Sequence, residues 1–241
     1  MDSVRRTSIA IGALLILATI AALAAAELVP ALTGADYLTG VADQPQRVAA
    51  AALLYLVAAV TSVGIAIALY PLLIKINAAV ALAAVVFRTI EAVFYTAAVV
   101  ALLSILPLGQ QLATAPADSR APIRAIADAL LSFREHSTLV AVFAFSLSAL
   151  MYYTLFHQAR LVPRWLTGWG IAGAMLMLTA SLLSLFSDNP VTGYILLILP
   201  IAVQEMVLAV WLLVKGFNPS APSWTASPRA STTLGRNAST V

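Results

Sequence analysis

Apolar runs long enough to cross a bilayer recur six times along this chain, over 7–30, 48–73, 78–106, 136–157, 165–186 and 192–215. A hydrocarbon core about 30 Å thick takes roughly 20 apolar residues in helical form. Inside it every backbone N–H and C=O must find a partner within the protein, so runs of this length are helices. Alternating segments of about 10 residues, which a membrane β-barrel would need, are absent from the sequence. The fold class that follows is all-α: a polytopic bundle of six transmembrane helices. With 62% hydrophobic and only 10% charged residues, the composition excludes an ordinary soluble domain.

The short connections set the orientation through their lysines and arginines. With the N-terminus inside, Arg5, Arg6, Lys75, Arg160, Arg164 and Lys215 gather on one side. The other side holds Arg47, Arg120, Arg124 and Arg134 among Asp36, Asp43, Asp118, Asp128, Glu135 and Asp188. Both termini are therefore expected in the cytoplasm, and the chain in the cell's inner or plasma membrane. The bases are dispersed over loop ends and form no groove-sized patch, which argues against nucleic-acid binding. Arg5, Arg6, the apolar run and Ala24–Ala26 have the order of a signal peptide. That run exceeds the usual 7 to 15 residues and a second span follows at once, so a retained helix is expected.

Residues 1–6 read as a short cytoplasmic N-terminus and 216–241, rich in Ser, Thr, Pro and Gly, as a disordered cytoplasmic tail. Between the third and fourth spans, Ile123, Ile126, Leu130 and Phe133 recur at helical spacing. Ser119 is placed to cap, and Pro122 suits a first turn. The spacing predicts a separate outer interfacial helix over 119–134.

Two charges break the third span: Arg88 and Glu91, three residues apart on one helical face, with Tyr95 a turn further along. Each charge at the centre of a membrane helix costs about 2.5–3.5 kcal/mol on insertion scales, so such residues turn inward and pair. Glu205, with Gln204 beside it, supplies a second acid in the sixth span. At 1.5 Å per residue Arg88 lies roughly 15 Å above the inner end of its span, and Glu205 some 10 to 15 Å above the inner face. Arg88 is thus predicted to sit between Glu91 and Glu205. Tyr55 falls near the depth of Glu91, and His136 marks the outer end of the fourth span. Pro200, a turn before Glu205, is expected to kink the sixth span and free the Leu196 carbonyl. The candidate ligand site is therefore Arg88, Glu91, Glu205, Tyr95, Gln204, Tyr55 and His136.

No cofactor or metal is expected. Cysteine is absent from the sequence, and His136 and His157 would stand about 31 Å apart on one helix, too far to share an ion. The G-x-G-x-x-G match at Gly168–Gly173 follows no strand and lies within a span, so Gly170 and Ala174 read as small residues for close helix packing.

"FRTIEA" in the third span, a His opening the fourth and "ARLVPRWLTGWGIAGA" entering the fifth together resemble an uncharacterised family of bacterial six-helix membrane proteins. It is the domain-of-unknown-function family numbered forty-three eighty-six, and the likeness runs from about Thr7 to Lys215. The resemblance implies the topology and carries no activity with it.

Three functional readings follow. In the leading one the bilayer-embedded cluster binds or conducts a small polar ligand or a proton, as a transporter would. In the second the protein is a structural or accessory membrane subunit whose buried charges only fix helix packing. In the third it is an intramembrane enzyme using Glu91 or Glu205 as a base on a lipid-like substrate, which would need a nucleophile or metal beside them.

Overall fold

The computed structural model describes residues 3–34, 36–187 and 189–218. Asp188 and the tail from 219 onward lie outside the described residues. Seven α-helices and one short 3-10 turn are present among them: α1 (Ser3–Leu28), α2 (Tyr37–Ala42), α3 (Pro45–Leu73), α4 (Ala78–Thr114), α5 (Ala117–Ala159), α6 (Arg164–Leu185), the turn Val191–Tyr194 and α7 (Ile195–Val214). No strand occurs among the described residues. All but α2 are long and apolar enough to cross a membrane, α7 together with the turn before it.

The six long helices pack as a closed ring. Each lies against its neighbour in sequence, from α1 on α3 round to α6 on α7, and α1 returns to pack on α7. Alanines line the contacts, with Ala25, Ala51, Ala66, Ala84, Ala141, Ala174 and Ala209 fully buried. Small side chains let backbones approach closely, which is how helices associate where lipid removes the hydrophobic drive. Large apolar side chains such as Leu23, Val60, Ile67 and Leu196 point outward and are exposed, as a hydrocarbon-facing surface requires. Thr61, Ser146 and Ser181 satisfy their hydroxyls on carbonyls a turn earlier, so they need no water in the core.

The outer connection differs from the expectation set by the sequence. Instead of a break at Pro107 and a separate helix over 119–134, α4 runs on to Thr114 and α5 begins at Ala117. With 37 and 43 residues, the two helices reach about 55 and 65 Å, far beyond a core of roughly 30 Å. They form a helical hairpin projecting beyond the end of the bundle that carries α2. Ser119 lies inside the first turn and makes no cap; Pro116 occupies the cap position.

The physical reason is a second, smaller core. Leu38 and Val41 of α2 pack with Val48, Leu102, Ile105, Leu112 and Ala127, which continues the burial past the bilayer edge. Ile123 and Leu130 turn into this core while Ile126 and Phe133 are exposed, so the expected single apolar face is divided. Tyr37 donates to Asp128 Oδ1 at 2.7 Å, tying α2 to α5. Burial, then the hydrogen bond and charge of Asp128, push the Tyr37 hydroxyl above its ordinary range, so it stays a donor. Gly109 is what lets α2 lie this close: a Cβ there would meet the Leu38 carbonyl oxygen at 2.5 Å. Gly109→Val is expected to cost about 1–3 kcal/mol, read as faster hydrogen exchange of α2 with the inner half of the bundle unchanged.

At the opposite end, where α1 begins and α7 finishes, Gly216, Phe217 and Asn218 are ordered, contrary to the expectation of disorder from 216 onward. Phe217 is buried with its ring edge-on to Phe156 at 5.8 Å, and its N–H donates to Ser8 Oγ. A single apolar ring in an otherwise polar segment suffices to dock it. Arg5 donates to the carbonyls of Leu212 and Leu213 at 3.1 and 2.6 Å, neutralising the end of α7.

Candidate functional site

Arg88 reaches from α4 into the middle of the ring and is 5% exposed. Its Nη1 stands 3.2 Å from Oε2 of Glu91, one turn on in the same helix. Ser62 of α3 closes the pair into a triangle, accepting from Arg88 Nη1 at 3.1 Å and donating to Glu91 Oε1 at 3.1 Å. On the far side Arg88 Nη2 faces Glu205 Oε1 of α7 at 3.6 Å. That separation is slightly longer than a direct hydrogen bond and leaves the two groups in a direct ion pair. Since α4 and α7 are not ring neighbours, this pair bridges the interior.

Aromatic faces complete the surroundings. The guanidinium carbon lies 4.3 Å from the ring centroid of Phe145 and 5.9 Å from that of Tyr152, both on α5. In a desolvated setting such a cation–π contact contributes about 2 kcal/mol. Arg88 Nε and Tyr152 Oη are buried without a hydrogen-bond partner among the described residues. Both residues border one small cavity of about 20 Å³, shared with Glu205 and Tyr153. That is room for about one water molecule.

A larger cavity of about 380 Å³ opens at the α2 end of the ring, the end expected to face outward, within the size range of small-molecule sites. Tyr55, Tyr95, Arg134, Glu135 and Thr138 supply its polar lining, and Val99, Met177 and Ile198 part of its apolar wall. Tyr95 stands one turn above Glu91 on α4, about 6 Å along the axis. The floor of this vestibule is therefore close to the upper edge of the charged cluster.

A family model described as a domain of unknown function, DUF4386, matches residues 10–216, most of the chain. The chain belongs to this family. Neither the curated proteins nor the solved structures provide a match.

Within the DUF4386 domain, then, Arg88, Glu91 and Glu205 meet in one cluster, and Tyr55 and Tyr95 line the vestibule above it. Gln204 belongs elsewhere. Its Oε1 accepts from Tyr153 Oη at 2.6 Å and its Nε2 donates to the Leu166 carbonyl at 3.1 Å, so it ties α7 to α5 and α6. Adjacent residues on a helix point about 100° apart, which separates it from Glu205. His136 is exposed and turned back on its own helix, with Nδ1 2.7 Å from the Ser132 carbonyl oxygen, while Arg134 and Glu135 before it line the vestibule. Helix α7 continues unbroken through Pro200, which sits in its second turn. Ser62, Phe145 and Tyr152 of the DUF4386 domain are site residues that sequence reasoning misses. Ser62 leaves the faintest signal, a hydroxyl next to Thr61 in mid-span.

Proposed function

We propose that this multi-pass protein of the inner or plasma membrane admits a small polar solute to the outer vestibule and handles a proton at the Arg88–Glu91–Glu205 cluster beneath it. One observation carries the reading: two carboxylates, Glu91 buried and Glu205 partly buried with 14% of its side chain exposed, face a single guanidinium. Glu91 is engaged by both Arg88 and Ser62, whereas among the described residues Glu205 has the longer contact to Arg88 alone and borders the small cavity. An uncompensated charge in a low-dielectric interior is costly, so the second carboxylate calls for one further positive charge, which a proton or a cationic solute supplies. Intramembrane carboxylates paired in this way are the usual parts of proton relays and solute pathways.

The test is proton flux into liposomes holding the purified protein, driven by an imposed pH gradient and read with an internal dye. Glu205→Gln removes the exchangeable charge while keeping shape, and is expected to abolish the flux with thermal stability retained. Equal flux through wild type and Glu205→Gln would overturn the reading. A loss of thermal stability alone, with no flux in either protein, would favour a purely structural cluster.

A further inference from the structure

We infer that the inner face carries a binding site for one anionic phospholipid, with its phosphate held by Arg160, Arg164 and Lys215 and an acyl chain laid along α7. This site is at the opposite end of the ring from the vestibule and is independent of the proton reading.

A concavity of about 440 Å³ lies where the end of α5, the start of α6 and the residues after α7 converge. Those three basic side chains line it, each from a different segment, together with Trp211 and Phe217. Among the described residues none of the three forms an ion pair, so no described carboxylate offsets this basic group. The first turn of α6, beginning at Arg164, borders the same concavity. The positive end of a 22-residue helix adds to the attraction for an anion. Arg160 is held in the left-handed region, φ 52° and ψ 38°, at a helix end where glycine is the common choice. A cationic side chain thus occupies a position that helix termination alone would assign to a residue without one.

The second half of the site is apolar. A shallow apolar groove runs along one face of α7, floored by Val203, Met206, Val207, Val210 and Val214. It shares Trp211 and Lys215 with the basic concavity, so head and tail regions are continuous. From Val203 to Val214 the groove extends about 16 Å, roughly half of a hydrocarbon core and so the depth of one leaflet. Trp165 meets Trp211 edge-on at 6.5 Å, placing an aromatic pair at the boundary where headgroup gives way to chain. Clustered bases beside membrane helices on the inner side are suited to anionic headgroups. A free phosphate would use the bases and leave the groove unfilled.

The experiment uses the full chain in an uncharged detergent, titrated with phosphatidylglycerol, phosphatidylcholine or glycerol phosphate and followed by native mass spectrometry and thermal unfolding. Phosphatidylglycerol is expected to give a retained adduct and a rise in Tm of several degrees, and the other two little of either. The double variant Arg164→Gln, Lys215→Gln is expected to bind phosphatidylglycerol about 30-fold more weakly, from two surface cations at their usual worth, with its lipid-free Tm unchanged. Val207→Trp, which fills the groove and leaves the charges, is expected to weaken the same adduct. An equal response to glycerol phosphate, equal binding of phosphatidylcholine, or wild-type affinity in the double variant would each overturn the proposal.

Discussion

Replacing Arg88 by Met is expected to destabilise the bundle by about 3–5 kcal/mol, the cost of leaving buried acids without their countercharge. The magnitude follows from position. Arg88 touches α3 through Ser62, α5 through Phe145 and Tyr152, and α7 through Glu205, so its loss unties three helices from α4 at once. Two carboxylates then remain in the interior, Glu91 still accepting from Ser62 and Glu205 without the guanidinium it faced. Denaturant unfolding in detergent micelles reads the effect. A triple variant, Arg88→Met, Glu91→Met and Glu205→Met, is expected to recover most of the loss, because replacing a whole buried ion group by apolar residues of similar volume is often neutral or stabilising. An Arg88→Met protein as stable as wild type would show that the charges do not hold the ring together.

The second large effect is expected at Gly170. A Cβ there would stand 2.6–2.7 Å from three atoms of the Tyr153 ring, inside any real contact distance. The ring has little freedom to yield, since its hydroxyl is bonded to Gln204 and its edge packs on Phe156 at 6.1 Å. Gly170→Ala therefore either strains α5 against α6 or breaks the Tyr153 to Gln204 bond. Overpacking costs about 1–3 kcal/mol, and a buried hydrogen bond left unpaired costs about 1–3 kcal/mol more. Pairing Gly170→Ala with Tyr153→Leu is expected to give a smaller loss than the sum of the two single changes, by about 1 kcal/mol or more in a double-mutant cycle. Additive losses would place the strain elsewhere.

Residues differ in how much of their role they announce. A charge in a membrane helix declares itself through its cost, and rise per residue converts sequence position to depth, so the meeting of Arg88 and Glu205 is legible in the sequence. Ser62, Phe145 and Tyr152 carry no such penalty in hydrocarbon and leave no comparable mark. Adjacency groups Gln204 with Glu205, although helical rotation sends the two to different partners. The projecting hairpin is hidden for another reason. Pro107 and the polar stretch after it suggest a break, and only the lateral packing of Leu38 and Val41 against Leu102 and Ile105 carries α4 through them. Tertiary support overrides local preference there.

The return of α1 onto α7 bears on how the protein is assembled. During synthesis α1 is available to the bilayer long before α7 has been made, and Ile11 and Leu15, buried in the finished ring, have α3 on one side but lack their α7 cover until then. Arg5 can fasten to Leu212 and Leu213 only once α7 is in place. The ring is thus completed by a long-range closure, and without α7 it would be an open arc with α1 and α6 as unpaired edges.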